Sequence, residues 1–364
     1  STGVAMPTIV IAAGGTAGHV VPALAVADAL RARGASVEFI GGERAEAELV
    51  PAAGYPLHRV RVAGIDRDNP LRAARALLLA AGATGRARRL LRRIGADAVL
   101  GGGGYVAGPV GLAARSLRLP LALTEADSHL GVTNRLLAPL ARRVFLAFPL
   151  DGRSGSKYLV TGRAVPAGTE GGDREAARAR LGVASDVACV LVFGGSLGAH
   201  RLNDAALDAF GSAAPGAVVH ASGQRDYEEL HSRLEALGSP EHYRLFPYIE
   251  PFADALAAAD LAVARAGGSV FELAAAGLPS ILVPYPHATA DHQTTNARFM
   301  EQAGAAVVIP DRELDGPRLA REVAALLGAP QRTAAMAKAA TAVARPDAAD
   351  VIAEELLALV NDEH

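Results

Sequence analysis

The chain has 364 residues, 51% of them hydrophobic, and 36 Lys/Arg balanced by 38 Asp/Glu for a net charge of −2. That length calls for two domains rather than one. The balanced charge and the lack of a recognition module exclude a nucleic-acid partner, and a single cysteine, Cys189, excludes a disulfide framework or a cysteine zinc site.

Apolar β-rich runs alternate with Ala/Leu/Arg stretches of helical period, the pattern of parallel α/β domains. In the first half this predicts strands at residues 8–13, 36–40, 98–100, 119–124 and 144–148. Helices are predicted at 21–33, 45–53, 71–94 (broken at Gly82 or Gly85) and 134–141. Residues 163–173, rich in Ala, Pro, Gly and Thr, read as a linker. The second half predicts strands at 187–193, 217–221, 243–247, 261–264, 280–284 and 306–309, with helices between and a last one at 348–360. Cys189 falls in the first of these runs and reads as a buried strand thiol suited to a reducing compartment. The expected domains are 1–164 and 165–345, with 346–364 crossing back onto the first. Each half reads as a doubly wound, Rossmann-like sheet, which binds ligands at the carboxyl ends of its strands; two such sheets are expected to face one deep cleft.

Charge is distributed unevenly. Residues 1–165 hold 21 basic and 11 acidic side chains, a net of +10, whereas residues 166–364 hold 15 and 27, a net of −12. The first half is therefore expected to face an anionic partner. Its 71–94 stretch carries Arg72, Arg75, Arg86, Arg88, Arg89, Arg92 and Arg93 among leucines. Such a stretch suits an anionic membrane surface and equally suits a helix packing its leucines on a sheet. No apolar run reaches the roughly 18 residues that cross a bilayer, and residues 1–7 do not read as a signal peptide.

Three glycine loops follow strands: Gly14-Gly15-Thr16-Ala17-Gly18-His19, Gly101-Gly102-Gly103-Gly104-Tyr105, and Gly194-Gly195-Ser196-Leu197-Gly198. Such turns let backbone approach a ligand and aim helix N–H groups at negative charge. A nicotinamide fold is one reading, since Glu38 lies 20 residues past Gly18. Three loops over two domains suit a ligand with several phosphates, or two phosphorylated ligands, better than one dinucleotide.

These loops, with the stretch from Glu272-Leu273-Ala274-Ala275-Ala276-Gly277 to His292-Gln293-Thr294-Thr295-Asn296, resemble the MurG family of bacterial N-acetylglucosaminyltransferases over essentially the whole chain. The resemblance implies a GT-B fold and inverting, metal-independent transfer from UDP-N-acetylglucosamine, with no cofactor, to a lipid-linked pyrophosphoryl sugar. It also implies an enzyme peripheral on the cytoplasmic face of the membrane. By the same resemblance Glu272 holds the ribose, Ile249 and Phe252 the uracil, and Gly195, Ser196, Leu197 and Gly198 the diphosphate. Gln293 and Asn296 read the sugar, with Gly268, Ser269 and His292 beside them, and Thr16 and His19 face the reaction centre. Gly14, Gly15, Gly18, Gly103, Gly104, Tyr105 and Asn134 fall to the acceptor and its diphosphate. The family's His-Glu-Gln-Asn segment reads Thr124-Glu125-Ala126-Asp127, and its Gly-Asn-Pro-Val-Arg segment reads Gly162-Arg163-Ala164-Val165-Pro166, so Arg163 stands in for the displaced arginine and is expected, with Thr16, on the donor side. A UDP-sugar epimerase shares this two-domain plan and stays open as an alternative.

Inverting transfer needs a base for the acceptor hydroxyl and donors for the departing diphosphate, which loop amides and helix N-termini can supply without a metal. His19 is the first candidate base. Asp127, an acid where the family has an amide, is expected to share or replace that role, with Glu125 beside it. Asp66-Arg67-Asp68 resembles a metal-binding motif but reads as a polar surface loop.

Overall fold

The computed structural model describes residues 6–62, 70–194, 199–288 and 292–362, the side chains of residues 70–79 excepted. It divides into two compact units, one of Ser1–Pro166 with Arg345–His364 and one of Ala167–Ala344. The break after Pro166 lies within the 163–173 linker, and Arg345 belongs to the first unit.

The first unit runs β1 (Thr8–Ala12), α1 (Ala17–Ala32), β2 (Ser36–Gly41), α2 (Ala45–Ala52), β3 (Leu57–Arg59), α3 (Pro70–Ile94), β4 (Ala98–Gly101), α4 (Ala107–Ser116), β5 (Leu121–Glu125), α5 (Val132–Leu137), β6 (Arg143–Leu146) and β7 (Tyr158–Val160). Its strands form one parallel sheet in the order β3-β2-β1-β4-β5-β6-β7. Central strands are apolar throughout because both faces are covered. In β1, Ile9 and Ile11 enter one core layer while Val10 and Ala12 enter the other.

Sequence patterning misses the edge strands β3 and β7, which are three residues each and only half-buried or exposed. It also starts α1 four residues late. The helix begins at Ala17, inside the glycine loop, and so puts His19 in its first turn. The expected break in α3 is absent. Ala83, Ala87 and Leu91, spaced four apart, are buried in the core. That packing outweighs roughly 1 kcal/mol of helix propensity lost at each glycine.

The second unit runs α6 (Arg174–Leu181), β8 (Cys189–Phe193), α7 (His200–Phe210), β9 (Ala217–Ala221), α8 (Gln224–Ala236), β10 (Tyr243–Phe246), α9 (Phe252–Ala258), β11 (Leu261–Ala264), α10 (Val270–Ala275), β12 (Ser280–Leu282), α11 (His292–Gln302), β13 (Ala306–Val308), α12 (Gly316–Leu327) and α13 (Pro330–Val343). Its parallel sheet has the order β10-β9-β8-β11-β12-β13. Local signals set the helix ends. The Asp173 carboxylate caps α6 by accepting the Ala176 amide at 3.0 Å, and Gly182 ends it in the left-handed conformation. Cys189 is buried at the start of β8, and burial pushes its thiol up to about 11.

After the second unit the chain returns to the first as α14 (Ala348–Asn361), which packs on α1. Ile352, Leu356, Leu359 and Val360 join the core that holds Val26 and Leu30. Each such side chain contributes about 1.5–3 kcal/mol. The rim ion pairs, Arg33 with Asp350 and Glu354 at 2.8 Å each, add far less because they are exposed.

Candidate active site

In each sheet the strand order reverses beside the first strand, between β1 and β4 in one and between β8 and β11 in the other. Ligands of doubly wound sheets bind at the carboxyl ends of the strands at such a point. In the first unit the two glycine loops follow β1 and β4. The first turn of α1 carries no acidic residue, and Thr16, at its N-cap, makes no capping bond with its side chain. Ala17 and Gly18 are exposed there, and Arg163 donates to the Gly18 carbonyl at 2.9 Å. A helix start of this kind attracts anions.

His19 lies against Gly103, where a Cβ would come within 2.7 Å of the ring. Its Nδ1 is buried and takes no hydrogen bond among the described residues. Burial lowers its pKa, Asp127 pulls the other way, Arg163 adds to the lowering and Glu46 opposes it. The imidazole is therefore neutral at pH 7 and able to take a proton. Asp127 is near enough for its charge to be felt.

Glu125 is placed differently. It is 7% exposed and accepts hydrogen bonds from the Asp127 amide at 3.2 Å, the Gly131 amide at 2.9 Å and Asn134 Nδ2 at 2.9 Å. Asn134 also donates to the Thr124 carbonyl at 2.9 Å. Glu125 and Asn134, expected to meet substrate, hold the β5–α5 loop to itself. Burial raises the Glu125 pKa despite these donors.

Sequence reasoning missed Glu46. It is fully buried, and the Gly15 amide donates to it at 2.9 Å, the Gly42 amide at 2.8 Å and the Tyr105 hydroxyl at 2.9 Å. Gly15 and Tyr105 thus direct inward the donors expected to face the acceptor. The available signal was helical spacing, since Glu46 shares the buried face of α2 with Val50, four residues on.

In the second unit Gly195, Ser196, Leu197 and Gly198 lie outside the described residues, as does the 66–68 segment of the first. Around the loop, Phe252 meets Phe193 edge-on, with ring centroids 4.9 Å apart, and Ile249 is half-buried just before it. Glu272 is half-buried in the first turn of α10, after a turn in which Gly268 and Ser269 are also half-buried. Gln293 Oε1 accepts from the amides of Ala266 at 3.2 Å and Tyr285 at 2.9 Å, and Asn296 Nδ2 donates to the Ala266 carbonyl at 2.9 Å. The two amides thus grip the β11–α10 turn, and His292 starts their helix. Among the described residues no group of three or more His, Cys, Asp or Glu is arranged to hold a metal ion.

A buried relay under β9 also escaped the sequence. Asn203 Nδ2 donates to Asp226 and to the Ser222 carbonyl, both at 3.0 Å, which leaves its Oδ1 to accept from His220 Nε2 at 2.8 Å. His220 Nδ1 then accepts from the Tyr243 hydroxyl at 2.7 Å. Burial holds this imidazole neutral, with its pKa pushed down to about 3.

Comparison with known proteins agrees with this layout. Residues 9–146 match the glycosyltransferase family 28 N-terminal domain and residues 189–352 its C-terminal domain. A Methylococcus capsulatus protein named UDP-N-acetylglucosamine–N-acetylmuramyl-(pentapeptide) pyrophosphoryl-undecaprenol N-acetylglucosamine transferase is 45% identical, over 96% of this chain and 98% of its own. The crystal structure of Acinetobacter baumannii MurG superposes with a TM-score of 0.76 at 32% identity, covering 97% of this chain and 99% of that one. A putative UDP-N-acetylglucosamine 2-epimerase from Listeria monocytogenes shares the fold, with a TM-score of 0.71 at 16% identity over 99% of this chain and 97% of its own.

Proposed function

The chain belongs to glycosyltransferase family 28 and, within it, to the MurG-type transferases, and from that premise we propose how its residues divide the reaction. It is a GT-B enzyme that transfers N-acetylglucosamine from UDP-N-acetylglucosamine to the undecaprenyl-pyrophosphoryl N-acetylmuramyl-pentapeptide of peptidoglycan synthesis. The epimerase reading rests on the fold alone.

The observation that carries the mechanism is the state of His19: half-buried, neutral, with a buried, unbonded Nδ1 and the charge of Asp127 acting on it. His19 takes the proton of the attacking acceptor hydroxyl, and the Asp127 carboxylate stabilises the imidazolium that forms. The first turn of α1 and Arg163 receive the acceptor's pyrophosphate. In the second unit Glu272 accepts hydrogen bonds from the ribose hydroxyls, and Ile249 and Phe252 flank the uracil. The 194–198 loop stabilises the departing diphosphate through its amides, without a metal; turnover undiminished by a chelator checks that point.

The test is a pH–rate profile of His19→Ala and Asp127→Asn. Loss of the base should lower kcat by about 10²–10⁴ with UDP affinity kept. Asp127→Asn should keep a reduced rate with its acidic limb shifted to lower pH, because the amide no longer raises the His19 pKa. A silent His19→Ala with a dead Asp127→Asn would transfer the base role to Asp127.

We further propose that the first unit docks on the cytoplasmic face of an anionic membrane. The described half of α3 buries Leu91 and packs Leu90 and Ile94 on the core, so those leucines serve the fold. Arg88, Arg89, Arg92 and Arg93 are exposed on it. Large exposed apolar side chains occur instead on the neighbouring α4 and α5, at Leu112, Val132 and Leu136, with Arg115 and Arg135 beside them in sequence. No helix among the described residues is long and apolar enough to cross a membrane.

A further inference from the structure

Glycine turns let a pyrophosphate approach the backbone, but they lack side chains with which to hold their own shape. The first unit has such turns past three adjacent strands, β2, β1 and β4. Glu46 is where they meet. Its Oε2 accepts the amide of Gly15, past β1, and its Oε1 accepts both the amide of Gly42, past β2, and the hydroxyl of Tyr105, past β4. The glycines are the space this side chain occupies. A Cβ at Gly14 would lie 2.8 Å from Glu46 Oε1, one at Gly41 would lie 2.8 Å from Glu46 Cγ, and one at Gly42 would run into the Tyr105 hydroxyl. Gly104, at φ +83°, brings the second turn so close to the first that a Cβ would collide with the Gly14 carbonyl.

The arrangement is an expensive way to fill a core. A buried carboxylate loses hydration that neutral donors replace only when all are well aimed, whereas an apolar side chain of similar size would fill the same volume without that risk. The donors, moreover, come from the turns themselves and not from the strands behind them. With Gly15 and Tyr105 turned inward, the outward groups at this point are those of the first turn of α1, and their position relative to the second turn depends on the Glu46 bridge.

We propose that Glu46 is a positioning residue for the acceptor half of the reaction: its carboxylate sets the first and second glycine turns at the separation that receives the acceptor's pyrophosphate. This rests on the assignment of those turns to the acceptor. Glu46 does not touch the reacting atoms. It acts through Gly15 and Tyr105.

Steady-state kinetics of Glu46→Gln, with the lipid-linked acceptor and UDP-N-acetylglucosamine varied separately, test this. Glutamine keeps the shape but turns an NH2 donor toward at least one of the three donors. Acceptor kcat/KM should fall about tenfold to a hundredfold, the scale set by misplacement of about 1 Å, with UDP affinity by calorimetry and the thermal midpoint unchanged. Equal losses for both substrates, or a lost UDP affinity, overturn the proposal in favour of a role in the fold alone. Should Glu46→Gln fail to fold, Tyr105→Phe removes one of the three bonds without adding a donor. It should raise acceptor KM about two- to tenfold, and an unchanged value overturns the proposal. His19→Ala, with Asp127→Asn beside it, separates the underlying assumption: if both leave acceptor turnover intact, the acceptor assignment itself has failed. If either abolishes turnover while Glu46→Gln and Tyr105→Phe leave acceptor kinetics unchanged, only the positioning role has failed.

Discussion

In the first unit the loops at the switch point close on two buried glutamates, and among the described residues the hydrogen bonds to Glu46 and Glu125 come from neutral donors. The second unit, with the same strand order around its switch point, pairs two of its aspartates with arginines: Asp311 with Arg265 at 2.5 Å and Asp260 with Arg174 at 2.6 Å. Its turns are gripped by amides and a neutral imidazole. A carboxylate satisfied by neutral donors keeps its whole charge and draws backbone N–H groups toward itself. An anion arriving at the first unit must then be met by a helix start and an arginine. Amide supports carry no net charge, so they add no repulsion at a loop proposed to hold a diphosphate. The loops of the two units are thus steadied differently, by buried glutamates with neutral donors in the first and by amide side chains beside the Arg265–Asp311 pair in the second. Even the two glutamates differ, since donors outweigh burial at Glu46 and lower its pKa, while burial prevails at Glu125 and raises it.

The sharpest way to break this contrast is Glu272→Ala, which should weaken UDP binding by about 1–3 kcal/mol, the range for a charged hydrogen bond. Calorimetry on the folded variant showing unchanged UDP affinity would mean that donor binding is not carried by this turn. A smaller effect sharpens the contrast through pH. Below about 6.5 the unfolded chain protonates His220, whereas the folded chain refuses that proton down to about 3. Stability is therefore lost as pH falls through this window, by about 1.3 kcal/mol between pH 7 and 5.5. Denaturation curves at the two pH values should show His220→Gln losing less than the parent by that amount; an equal loss in both would place the proton elsewhere. The smallest effect concerns the surface. Leu136 is 72% exposed, so Leu136→Glu should change stability by no more than about 0.5 kcal/mol. It should nonetheless reduce binding to anionic vesicles. Undiminished binding would remove α5 from the membrane face.

The glycine loops and the strands before them were legible because a strand buried on both faces is a continuous apolar run and a glycine cluster ends it. The carboxylate that steadies the loops was not. Glu46 finds its partners 31 and 59 residues away at Gly15 and Tyr105, and in the sequence it differs little from Glu48, which is exposed on the same helix. Local propensity likewise could not find His220, whose role depends on Asn203 and Tyr243 arriving from other elements. The resemblance pointed to Gln293 and Asn296 as side chains of interest. It did not show that both hold Ala266, because that grip exists only once β11 and α11 are side by side.

The return of the chain to its first unit sets an order on synthesis. The ribosome releases residues 1–166 long before α14, and the whole of Ala167–Ala344 must be made in between. At the usual 5–20 residues per second, that interval lasts roughly ten to forty seconds. Throughout it, the flank of α1 that Ile352, Leu356 and Leu359 will cover stands bare. The nascent first half is thus an incomplete body with an open apolar seam, a natural client for a holding chaperone, and it closes only when the last helix leaves the exit tunnel.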